Sequence, residues 1–147
     1  MSYIFRQLLL ISRVIVGGIF MAHGYQKLIL IGLPATAHSF AQVGVPSPSL
    51  SADYAAIVEL FGGMALMLGL ALPLVGLLLG ADMLGAFLFV HARHGLIVEH
   101  GGFEYVVTLG LAALLLGFSD GGPLAFDSLL RSLFGRKEKL PEPEIRG

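Results

Sequence analysis

The sequence predicts an all-α fold, an integral membrane four-helix bundle with a C-terminal amphipathic helix at the interface. Three observations lead there. The 147 residues are 56% hydrophobic and only 13% charged, whereas soluble domains carry about a quarter charged residues. Mean hydropathy is +0.84. Apolar stretches recur four times, each near the ~20 residues that a helix rising ~1.5 Å per residue needs to cross ~30 Å of hydrocarbon.

The first stretch covers residues 8–33, the second 53–72, the third 74–91 and the fourth 104–119, so that residues 1–122 read as one four-span domain. Between the first two, a short helix is expected at 35–43, followed by the turn-forming Val45-Pro46-Ser47-Pro48-Ser49. Pro73 separates the second and third spans by a very short link, which predicts an antiparallel pair. The fourth span stops at Asp120-Gly121-Gly122-Pro123. Beyond it, Leu124, Phe126, Leu129, Leu130, Leu133 and Phe134 recur at helical spacing among polar residues, which predicts an amphipathic surface helix over 123–135. The charged, Pro-containing segment 136–147 reads as a disordered tail.

Basic residues set the expected orientation. Arg6 and Arg13 precede or open the first span, and Arg131, Arg136, Lys137, Lys139 and Arg146 follow the last. The 34–52 loop has no Lys or Arg, and the 92–103 loop has only Arg93. Positive charge is retained on the cytoplasmic side, so both termini are expected in the cytoplasm and the chain in the cell (inner) membrane.

Composition also excludes function classes. With no cysteine there is neither a disulfide nor a thiolate metal site, and any electrons must travel on a bound molecule or a partner. A net charge of −1 gives no footprint for nucleic acid. No nucleophile–base pattern, phosphate-binding glycine loop or dinucleotide fingerprint is present. Gly76 and Gly80 form a G-x-x-x-G that suits either packing within the chain or a homo-oligomer seam.

The candidate site comes from polar residues in apolar surroundings. His23, Gln26 and Lys27 stand at i, i+3 and i+4, on one face in the outer half of the first span. Glu59 lies about two turns into the second span, His91 and His94 end the third, and Glu104 opens the fourth. A charge at the bilayer centre costs at least ~2.5–3.5 kcal/mol, so these groups should face inward and pair. Lys27 with Glu59 is the expected pair, the simpler alternatives being a snorkelling lysine or a purely structural staple. Asp82 sits mid-membrane, about 16 Å of helix rise from Arg93, so its partner must come from another helix, a proton or water. His91, His94, Glu99 and His100 are divalent-metal ligand types, but their spacing matches no standard motif and no metal site is assigned. The histidines equally suit proton exchange with the aqueous phase.

Four segments, in order, carry a family resemblance: R-V-I-V-G-G-I-F-M-A-H-G-Y-Q-K-L from Arg13, G-V-P from Gly44, E-L-F-G-G-M-A-L-M-L-G-L from Glu59, and E-Y-V-V-T-L-G-L-A-A-L-L-L-G-F-S-D-G-G-P-L-A-F-D from Glu104. Together they resemble the DoxX family of small four-span bacterial and archaeal membrane proteins, with family-like positions at His23, Gly24, Lys27, Glu59, Gly62, Gly63 and Asp127. The closing stretch departs from the family's more compact turn. The resemblance implies a subunit of a membrane-associated oxidoreductase system, at most an accessory to a quinone-linked enzyme. On that reading the cofactor is no group of the chain's own but a quinone-like ligand in an outer-leaflet polar pocket, and the partners are the lipid bilayer and a redox protein. A non-catalytic scaffold or assembly partner, or a small proton-coupled transporter using Asp82 and Glu59, fits the same polar cluster.

Overall fold

The computed structural model describes residues 3–119; the stop signal at 120–123, the amphipathic helix expected at 123–135 and the tail at 136–147 lie outside them. Every regular element among the described residues is helical. Helix α1 (Tyr3–Tyr25) continues into a π-helical segment (Gln26–Gly32) and then α2 (Leu33–Gln42). At their junction Gly32 takes φ 87°, ψ 148°, a conformation open to glycine but not to side-chain-bearing residues. Pro34 follows in the first turn of α2, where its missing N–H is harmless.

The second span is one helix in three parts: α3 (Pro48–Ile57), a π turn (Val58–Gly62) and α4 (Gly63–Leu68). It starts earlier than the apolar pattern indicates, because Pro48 in its first turn is a helix starter rather than part of the loop. Gly69 then ends it at φ 71°, with its N–H on the Leu66 carbonyl and that of Leu70 on Ala65, the Schellman arrangement. Gly69 is therefore the helix stop. The link to the third span is residues 69–71, and Pro73 lies inside the first turn of α5 (Leu72–Ala86) rather than in the link.

Helix α5 passes into a third π segment (Phe87–His91). The following loop contains a 3-10 turn (Val98–His100) and folds back on itself, Phe103 and Glu104 N–H donating to the carbonyls of Gly95 and Leu96. Helix α6 (Glu104–Gly117) closes the described fold. Three helices are long and apolar enough to cross a membrane, and α6 is a shorter apolar helix of 14 residues, ~21 Å by helix rise.

Glycines bring the helices together. A Cβ on Gly17 would lie 2.5 Å from the Gly63 carbonyl oxygen, which ties α1 to α4, and one on Gly76 would lie 2.8 Å from Gly117 Cα, which ties α5 to α6. Gly80 meets Leu114 in the same seam, so the G-x-x-x-G serves packing within the chain. Phe20, Leu66, Leu79, Met83, Leu109 and Ala113 form the buried core between these contacts. The outside is as apolar as the inside: Ile15, Leu30, Leu77, Leu84, Leu111 and Leu115 are all more than half exposed. In water such a surface would aggregate; around a membrane bundle it is the lipid face. Gly76→Val is expected to force α5 and α6 apart and to convert the monodisperse detergent-solubilised protein into aggregates on size-exclusion chromatography.

Candidate functional site

Each long helix changes from α to π winding once, and each π segment carries one polar residue of the same cavity. Lys27 comes from Gln26–Gly32, Glu59 from Val58–Gly62 and His91 from Phe87–His91. A π turn widens the helix and shifts side chains out of α register, and such turns recur at functional sites. The cavity holds about 540 Å³, within the range of small-molecule sites. Its walls are mainly apolar, from Phe40, Val45, Pro46, Ala55, Phe89, Val106 and Leu109 among others, with His23, Lys27, Tyr54, Glu59, Asp82, His91 and Tyr105 as the polar lining.

The polar groups are each held by a partner, and three of them are joined to one another. Lys27 Nζ donates to Glu59 Oε2 at 2.5 Å, joining the first and second spans, with 20% of the lysine side chain exposed and 4% of the glutamate. Asp82, also buried, lies within hydrogen-bonding reach of Glu59. One ammonium thus faces two carboxyl groups, and the second acid is neutral only with a proton or another cation. His23 Nε2 is 3.1 Å from the Tyr105 hydroxyl, the two rings tilted with centroids 5.9 Å apart. The Tyr54 hydroxyl donates to the Leu78 carbonyl at 3.0 Å, fixing α3 against α5 one turn from Asp82. The ring of His91 shares its Nδ1 with the Gly101 carbonyl at 2.6 Å, which ties the end of the third span to the loop.

The DoxX family model matches residues 8–92, more than half of the chain. The chain belongs to the DoxX family. Over 118 residues this DoxX protein is 33% identical to "Putative oxidoreductase CatD" of Bacillus subtilis (strain 168), the alignment covering 80% of the chain and 83% of that protein. No solved structure matches it.

In this DoxX protein the cavity unites His23, Lys27, Glu59, Asp82 and His91, and leaves out Gln26, His94 and Glu104. Gln26 is exposed because the first π segment begins at it: fewer degrees of rotation per residue carry it away from His23 while keeping Lys27 inward. His94 lies past the end of the third span, exposed, with Nδ1 on the Val90 carbonyl. Glu104 accepts the Val98 N–H at 2.8 Å, so its carboxylate orders the loop instead. Glu99 and His100 are exposed in the 3-10 turn, and among the described residues no three His, Asp or Glu side chains converge as a metal would require.

Tyr54, Tyr105 and the wall residues Phe40, Val45 and Pro46 were not singled out by the sequence. The sequence places Tyr105 one residue after Glu104, at the end of the span already considered polar, and that was the available signal. Arg13 also differs from expectation: it is 1% exposed within α1, not a charge displayed at the membrane surface.

Proposed function

We propose that this protein is the membrane-embedded subunit of an oxidoreductase system and that the cavity takes a quinone-like lipophilic ligand. The observation that carries the reading is that His23, Lys27, Glu59, Asp82 and His91 line one cavity whose walls are otherwise mainly apolar. An apolar ring needs such walls, and its oxygens need hydrogen-bonding and proton-exchanging groups among them. Membership in the DoxX family and the name of the Bacillus subtilis relative support the redox setting. The chain has no cysteine for redox chemistry of its own, so a partner protein would carry the electrons. Following the distribution of Lys and Arg, the termini face the cytoplasm of the cell membrane and the cavity opens towards the outer leaflet.

Equilibrium dialysis of a short-chain benzoquinone against the protein in lipid nanodiscs tests this. Saturable one-to-one binding is expected, weakened at least about tenfold by Lys27→Met, which removes the ammonium that can donate to a ring carbonyl. Absence of saturable binding to the folded wild type would reject the reading. The Lys27–Glu59 bridge between two spans favours a second reading, a helix staple without a ligand. If Glu59→Gln unfolds the protein while every folded cavity variant binds as the wild type does, the staple is the better account.

A further inference from the structure

The hydrogen-bonding direction of the cavity narrows the ligand further than its shape does. A carbonyl oxygen only accepts, so His91 Nδ1, 2.6 Å from the Gly101 carbonyl, carries the hydrogen of that bond. The neutral ring then keeps Nε2 as an acceptor. Tyr54 spends its only O–H on the Leu78 carbonyl, which leaves its oxygen free to accept. Glu59 takes the Lys27 ammonium on Oε2 and faces Asp82, and a proton shared by two facing carboxyls leaves their outer oxygens as acceptors. Against these four acceptor residues stand the remaining N–H groups of Lys27 and the His23–Tyr105 pair, which has at most one hydrogen to spare. The walls are mainly apolar, so an acceptor facing another acceptor finds no other partner in them.

We infer that the cavity is built for a hydroxyl-bearing aromatic, the dihydroxy (quinol) form of a lipophilic ring, in preference to its carbonyl (quinone) form. Two ring hydroxyls donate towards the Glu59–Asp82 pair and His91, whereas two ring carbonyls would compete for Lys27 and the single spare hydrogen of the His23–Tyr105 pair. The same arrangement discourages anionic ligands, because the one ammonium is already matched by Glu59. This inference rests on the ligand-binding reading given above and adds to it which redox form the site holds more tightly. A tenfold preference for the quinol raises the two-electron potential of the bound couple by about 30 mV, which makes the bound quinone a better electron acceptor.

The test uses the full chain in lipid nanodiscs under anaerobic conditions, titrated by calorimetry with durohydroquinone, duroquinone and the dimethyl ether of durohydroquinone. The ether keeps the ring and loses both donors. Durohydroquinone is expected to bind at least about tenfold more tightly than either of the others. Asp82→Asn, which replaces an acceptor by an amide with N–H donors, should narrow the gap between quinol and quinone, and His91→Phe, which removes the other acceptor, should weaken the quinol alone. Equal or tighter binding of duroquinone would overturn the inference while leaving the ligand-binding reading intact. Binding of none of the three by the folded protein overturns both.

Discussion

Truncating Lys27 to alanine lowers the stability of the detergent-solubilised protein by about 3 kcal/mol, the lower end for breaking a buried ion pair. The loss comes less from the bond than from what remains. Glu59, with 4% of its side chain exposed, would face Asp82 with no ammonium beside it, two acids in an apolar cavity. The fifth of Lys27 that reaches solvent keeps the expected loss at that lower end. Lys27→Met combined with Glu59→Gln removes both charges and should recover most of the stability. Thermal melting followed by circular dichroism at the helical band gives the comparison. A double variant no more stable than Lys27→Ala would show that the pair is not energetically coupled.

Gly24→Ala is the second large effect, and it requires only one methyl group. A Cβ there would stand 2.3 Å from Leu60 N and 2.7 Å from Leu60 Cα, backbone atoms that cannot rotate away. The first span would have to move off the π turn that carries Glu59, opening the cavity at its charged end. Overpacking costs typically 1–3 kcal/mol, and contact with backbone places this variant at or above the upper end. Gly18 provides the control, because a Cβ there meets nothing within 4 Å. Gly18→Ala should be neutral or gain up to ~1 kcal/mol from helix propensity. Equal melting temperatures for the two alanine variants would show that α1 is not held by that close approach.

The membrane-helix architecture was readable because lipid imposes a length and composition that few other solutions satisfy, and Pro and Gly mark most of its breaks. The Lys27–Glu59 pair was readable for the same reason: isolated charges in apolar helices must find one another. Asp82 was recognisable as a residue that its own helix could not satisfy. Gln26 was misplaced because a face computed at 3.6 residues per turn does not survive a π segment, and nothing in Gln26-Lys27-Leu28-Ile29 distinguishes π from α winding. Tyr54 and Tyr105 escaped notice because a tyrosine in a membrane helix reads as an interfacial anchor, its apolar body hiding a polar tip. The Phe40, Val45 and Pro46 wall depends on α2 and its loop folding over the cavity, a tertiary contact without local periodicity.

The brevity of α6 has a consequence for the surrounding lipid. Its 14 residues stand beside a neighbour of 20, so the hydrocarbon on that flank must thin, or the exposed Leu96-Ile97-Val98 apex must sink to meet it. Either adjustment costs a fraction of a kcal/mol per Å of mismatch. Among the described residues the bundle is lopsided in height, and such an inclusion is favoured in thinner membrane and beside neighbours that cover its short side. Bilayer thickness is thereby a variable to which the energy of this protein in a membrane responds.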